Sequence, residues 1–204
     1  MTTSSDNIPC RYAERMAKKK SARERMMRGK RSSQGLLVVH TGAGKGKSSA
    51  AFGMVLRCIG HGLKTGVVQF IKGAWDTGEH RVLAGFPGLV TFLAMGEGFT
   101  WETQNRDRDV AAARRAWEMA ESMLADPTYR MVVLDELNVV LRYQYLKLEE
   151  VIAAILARPG GQHAVVTGRN APEGLVEVAD LVTEMTLIKH PFRRGIKAQS
   201  GVEF

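Results

Sequence analysis

Two lysines, Lys45 and Lys47, and two serines, Ser48 and Ser49, share one short stretch with Gly42, Ala43, Gly44 and Gly46. This is chemistry for a phosphate chain. Glycines let successive backbone N–H groups turn inward around phosphate oxygens, where a Cβ would obstruct them. Lys47 adds a mobile cation, and the Ser48 hydroxyl can complete the shell of a bound Mg²⁺. Gly46, Lys47 and Ser48 fit the pattern G-x-x-x-x-G-K-[ST], with Thr41 in the place of its first glycine. A glycine-rich turn that happens to hold a lysine is the bland alternative, and its flanks argue against it. An apolar, β-branched run precedes it and a helical pattern follows, the order a phosphate loop requires. The helix then aims its N-terminal partial positive charge at the same anion.

Two further groups could carry chemistry. Residues 131–135 form an apolar run ending in Asp135 and Glu136, as in a strand that holds Mg²⁺ beside a phosphate loop. Many buried strands end in an acid, so the loop is what favours a metal role. Nucleotide Mg²⁺ is usually held by one or two carboxylates plus phosphates. In extended chain the two side chains point oppositely, so one of them is structural. Phe99 and Trp101 stand two apart in a glycine-led polar segment; if extended, both rings project to one side. They either plug a core, as aromatics usually do, or wall a flat ligand, and spacing leaves both open.

The elements that must position these groups alternate. Strands are predicted near 36–39, 66–71, 89–95, 130–136, 163–167 and 181–188, with helices at 48–59, 107–126, 147–157 and 172–179. Gly60-His61-Gly62, Asp126-Pro127 and Pro159-Gly160 end the first three helices. Such alternation implies parallel βαβ units with right-handed crossovers. In these sheets ligands sit beyond the strand C-termini. The phosphate loop, the loop starting at Lys72, the Asp135-Glu136 pair and the Gly168-Arg169 turn all fall at that edge.

At 204 residues and 45% hydrophobic content the chain can bury one substantial core. It has no apolar run of ~18 residues to cross a bilayer, and its charged start has no secretory h-region. Cys10 and Cys58 alone make neither a disulfide framework nor a zinc site, and they suit a reducing cytoplasm. The net charge of +8 is unevenly placed: residues 1–31 hold ten Lys/Arg against three acids. Residues 1–34 therefore read as a basic arm and 35–204 as the α/β domain. Residues 1–9 read as unstructured and 10–31 as a helix with a thin apolar stripe of Tyr12, Met16 and Met26/Met27. The arm is either a solvated helix or a grip on nucleic acid, an acidic substrate or an acidic partner.

The runs at 41–48, 68–73, 98–104, 133–136 and 189–192 (Lys189-His190-Pro191-Phe192) together resemble the ATP:corrinoid adenosyltransferases. The similarity runs from about residue 11 to Phe204 and is nearest the branch acting on cob(I)yrinic acid a,c-diamide in cobalamin biosynthesis. It implies a P-loop-type, RecA-like α/β fold, mostly parallel with helices on both faces, plus the basic helical arm. It implies a homodimer that moves the 5′-deoxyadenosyl group of ATP to Co(I) of a corrinoid (cob(I)yrinic acid a,c-diamide, cobinamide or cobalamin), releasing tripolyphosphate. It implies Mg²⁺ or Mn²⁺ and admits a flavoprotein reductant. Gly42 to Ser49 would wrap the triphosphate, with Lys47 catalytic and Ser48, Glu136 and Asp135 serving the metal. Phe99 and Trp101 would stand at the cobalt face, and the arm would fold over the corrinoid. Ala43 stands where some members have Asn and offers no side-chain contact, whereas Ser48 and Ser49 keep the hydroxyl of the threonines found elsewhere. A P-loop ATPase or binding module, its arm on RNA or an acidic partner, is the competing class. That reading has no use for the segment from Phe99 to Gln104, and nucleic acid and membrane are not the expected partners.

Overall fold

The computed structural model describes residues 7–30, 33–71, 77–95 and 105–203. It divides into two units, Met1–Ser33 and Gln34–Phe204. The first is helix α1, Asn7–Arg28. Pro9 is tolerated in its first turn because the N–H it lacks would have no helical partner there. The helix begins earlier than the sequence suggested for that reason. Arg25 and Arg28 sit in its last turn, where cations oppose the helix dipole. Tyr12, Met26 and Met27 are exposed.

The second unit is a six-stranded, fully parallel sheet in the order β3-β2-β4-β5-β1-β6. Its strands are β1 (Leu37–Thr41), β2 (Thr65–Gln69), β3 (Val90–Ala94), β4 (Met131–Asp135), β5 (His163–Thr167) and β6 (Leu181–Glu184). Among the described residues its α-helices are α2 (Lys47–Gly60), α3 (Gly78–Leu83), α4 (Arg106–Ala125), α5 (Leu137–Arg142), α6 (Leu148–Ala157) and α7 (Glu173–Val178), with a 3-10 turn at Pro191–Arg194. The α/β reading holds, with helices on both faces. Two short helices, α3 and α5, lie where no helix was predicted. Six residues are too few for periodicity to register. α3 is announced only by Thr77, whose hydroxyl accepts the His80 N–H. β6 ends at Glu184 rather than 188 because the chain then turns over the phosphate loop.

Alternation along the central strands splits the core in two. Leu37, Val39, Val68, Val132, Leu134, Ala164 and Val166 face the side covered by α4, α5, α6 and α7. Val38, Val67, Met131, Val133 and Val165 face α2, with Leu83 of α3. Both faces are dry, which is why these strands read as continuous apolar runs. Register then carries the α2 face to a polar end. His40 pairs with Thr167, and Gln69 with Asp135; one step earlier Leu134 pairs with Val166. His40, Thr167, Asp135 and Gln69 thus form one row across four strands at their C-terminal edge.

Candidate active site

The loop between β1 and α2 folds against the chain that follows β6. Gly42 has φ +96°, and a Cβ on it would lie 2.4 Å from the Met185 carbonyl oxygen. A Cβ on Gly44 would lie 2.7 Å from the carbonyl oxygens of both Met185 and Thr186. Close backbone approach therefore requires glycine at both positions, and at Gly42 the positive φ requires it as well. The Gly44 N–H donates to the Met185 carbonyl at 2.6 Å. Thr41, in the place of the motif's first glycine, accepts the Ala171 N–H on its hydroxyl at 3.0 Å. It ties the loop's start to the turn after β5.

Lys47 is buried, and its Nζ donates to the carbonyls of Gly42 (2.9 Å) and Gly44 (2.5 Å). The lysine thus braces the curve of its own loop. Burial lowers its pKa; the Glu136 charge opposes that shift, and Arg169 adds to it. Gly46, at φ 106°, precedes α2 without a side-chain cap, so first-turn N–H groups are left for an external acceptor.

Asp135 and Glu136 separate sharply. Asp135 is fully buried. Its Oδ1 accepts the Thr167 hydroxyl at 2.6 Å and its Oδ2 accepts Gln69 Nε2 at 2.8 Å. Glu136 leaves the strand with φ 63° and ψ 18°, so the extended-chain expectation does not apply to it. Its N–H donates to Thr167 Oγ1 at 3.0 Å, and its Oε2 lies beside Gly168. The strain of a left-handed glutamate is held by that hydrogen bond and by α5 starting immediately after it. The result aims Glu136 into the cleft while Asp135 braces the sheet.

That cleft, of about 740 Å³, is bounded by residues 44–49, α2, α3, Glu136, Arg169 and residues 198–203. Gly44, Lys45, Gly46, Lys47, Ser48 and Ser49 all line it. Gly42 and Ala43 do not line it; Gly42 is buried and Ala43 exposed. Asp135 does not line it. Phe99 and Trp101, with residues 72–76 of the second loop, lie outside the described residues. Sequence reading missed Gln69 and Thr167 as partners of Asp135, and it missed Glu203. A strand-terminal threonine or glutamine carries no signal until register sets it beside an acid.

Hard oxygen donors, Glu136 and the Ser48 hydroxyl, face one cleft with Lys47, a set suited to Mg²⁺ or Mn²⁺. Among the described residues no three His, Cys, Asp or Glu side chains converge as a protein cage.

A parallel sheet whose first strand opens into a lysine-braced glycine loop defines a P-loop-type α/β protein. The family described as ATP:corrinoid adenosyltransferase BtuR/CobO/CobP matches residues 33–204. The chain belongs to that family, whose members are transferases using ATP and a corrinoid. It is 57% identical to a corrinoid adenosyltransferase of Pseudomonas aeruginosa, over 95% of this chain and 96% of that one. It is 47% identical to the corrinoid adenosyltransferase CobA of Salmonella typhimurium, over 95% and 98%. A solved KaiC-like protein from Pyrococcus horikoshii OT3 shares 17% identity with a TM-score of 0.46, covering 77% of this chain and 75% of that one. Among the described residues no helix is long and apolar enough to cross a membrane.

Proposed function

We propose that this protein transfers the 5′-deoxyadenosyl group of ATP to Co(I) of a corrinoid and releases tripolyphosphate. The observation that carries the reading is the convergence of Lys47, the α2 N-terminus and Glu136 on one cleft. Residues 42–49 wrap the triphosphate, with Lys47 passing from the Gly42 and Gly44 carbonyls to phosphate oxygens. The Co(I) electron pair forms the bond to C5′ as the C5′–O bond breaks, and the electrons of that bond leave with tripolyphosphate. Co(I) has no proton to lose, so the step needs no general base. In-line positioning and cationic stabilisation of the leaving group are the useful terms. Arg169 adds charge on the same side of the cleft.

Glu136 and Ser48 would hold Mg²⁺ or Mn²⁺, and Asp135 acts behind them by fixing Thr167, which in turn holds the Glu136 backbone. When bound there, such a cation would supply neutralisation of the triphosphate charge. Cob(I)yrinic acid a,c-diamide, cobinamide and cobalamin are the corrinoids to test. Phe99 and Trp101 wall the lower cobalt face, excluding an axial ligand and easing reduction of Co(II), for which a flavoprotein is the proposed electron donor. The enzyme works as a cytoplasmic homodimer, the basic arm covering corrinoid.

Phosphate products test this directly. Corrinoid-dependent tripolyphosphate is the expected result; inorganic phosphate released from ATP alone would point instead to an ATPase whose arm grips RNA or an acidic protein. The aromatic wall is tested by the Co(II) spectrum with Mg-ATP. A four-coordinate signature should appear in the wild type and vanish in Phe99→Ala and Trp101→Ala. Its absence from the wild type with a corrinoid that binds would remove the wall from the mechanism.

A further inference from the structure

Residues 199–203 close a single hydrogen-bonded turn in which the Val202 and Glu203 N–H groups both donate to the Gln199 carbonyl, at 3.2 and 2.9 Å. This turn brings Glu203 onto the phosphate loop, where its carboxylate pairs with Lys45 Nζ. The acid is well shielded, its side chain 13% exposed, while that of Lys45 is 51% exposed. Both line the cleft that holds Lys47 and Ser48. A carboxylate has therefore been set against a cation of an anion-binding loop, by a segment remote in sequence.

An acid in that place opposes a polyphosphate in two ways. It neutralises one cation of the loop, and its own charge repels phosphate oxygens at close range. A triphosphate engaging Lys45 must displace it, and the departure of tripolyphosphate lets it return. We propose that Glu203 sets the affinity of the phosphate site, as an internal anion competing with the polyphosphate for Lys45. It weakens the hold on both ATP and tripolyphosphate, and so favours release of a product that would otherwise bind as well as the substrate's own phosphates. This rests on residues 42–49 being the triphosphate site.

The test is titration calorimetry of inorganic tripolyphosphate, ATP and adenosine against wild-type protein, Glu203→Gln, Lys45→Ala and the double variant. Thermal melts confirm that each is folded. Glu203→Gln should tighten tripolyphosphate and ATP by about two- to fivefold, the worth of a partly exposed ion pair. Adenosine, without charge, should bind unchanged, and the gain should vanish in the Lys45→Ala background. Unchanged or weaker tripolyphosphate binding by Glu203→Gln would overturn the competition, as would equal tightening of adenosine, which would mark a reshaped wall. A truncation after Gln199 provides a second variant; it too should bind tripolyphosphate more tightly, and weaker binding counts against the proposal. If the wild type binds neither tripolyphosphate nor ATP, the phosphate-site reading itself fails, a different result from binding that ignores residue 203.

Discussion

Thr167 donates its hydroxyl to Asp135 and, on the same oxygen, accepts the backbone N–H of Glu136. One side chain of β5 thus holds one carboxylate inside the sheet and fixes the backbone that carries its neighbour into the cleft. Two adjacent acids acquire different work. Asp135→Ala strands Thr167 and Gln69 in a dry interior and should cost about 3 kcal/mol of stability, lowering the melting temperature. Glu136→Gln should melt like the wild type yet lose activity by about tenfold or more, with a raised metal requirement. Equal melting losses in the two variants would refute this division.

Lys47→Ala should lower turnover by about 100-fold or more, since a cation at a charge-developing centre contributes a few kcal/mol. The same change removes the brace across Gly42 and Gly44, so ATP affinity should fall as well. A folded variant with more than half of wild-type activity would show that the loop is not the phosphate site.

Removing residues 1–31 should leave a folded core. Those residues fall within a unit of their own and hold most of the net charge with little core-forming pattern. ATP binding should persist while the KM for corrinoid rises several-fold. Unchanged corrinoid kinetics would dismiss the arm as a cover for that substrate.

His40 predicts a pH effect. It is buried on the α2 face, and among the described residues neither ring nitrogen has a hydrogen-bond partner. Burial lowers its pKa below the ordinary 6.5; His163 is lowered likewise, by burial and then by Arg130 and Arg158. A depressed base takes up its proton more readily in the unfolded chain. Its contribution is therefore present above pH 6.5 and lost as the pH falls from there toward the folded value. His40→Leu should hold its stability at pH 7 and lose less than the wild type between pH 7 and 5. Thermal melts at both pH values decide it, parallel losses being the contrary outcome.

Much of this protein is legible along the chain because its cause is local. A glycine loop between an apolar strand and a helix is a contiguous pattern, and strands alternating with helices imply a parallel sheet. The family-bearing runs are contiguous too, so the resemblance needed no coordinates. Other features depend on which strands become neighbours. Only the order β2-β4-β5-β1 sets Gln69, Asp135, Thr167 and His40 side by side, turning four unrelated residues into one polar row. The left-handed turn at Glu136 could not be read either, since nothing in a glutamate announces positive φ; it follows from the Thr167 hydroxyl waiting on the next strand. The Lys45–Glu203 pair spans most of the sequence. Such long-range contacts arise from packing, which no local spacing encodes.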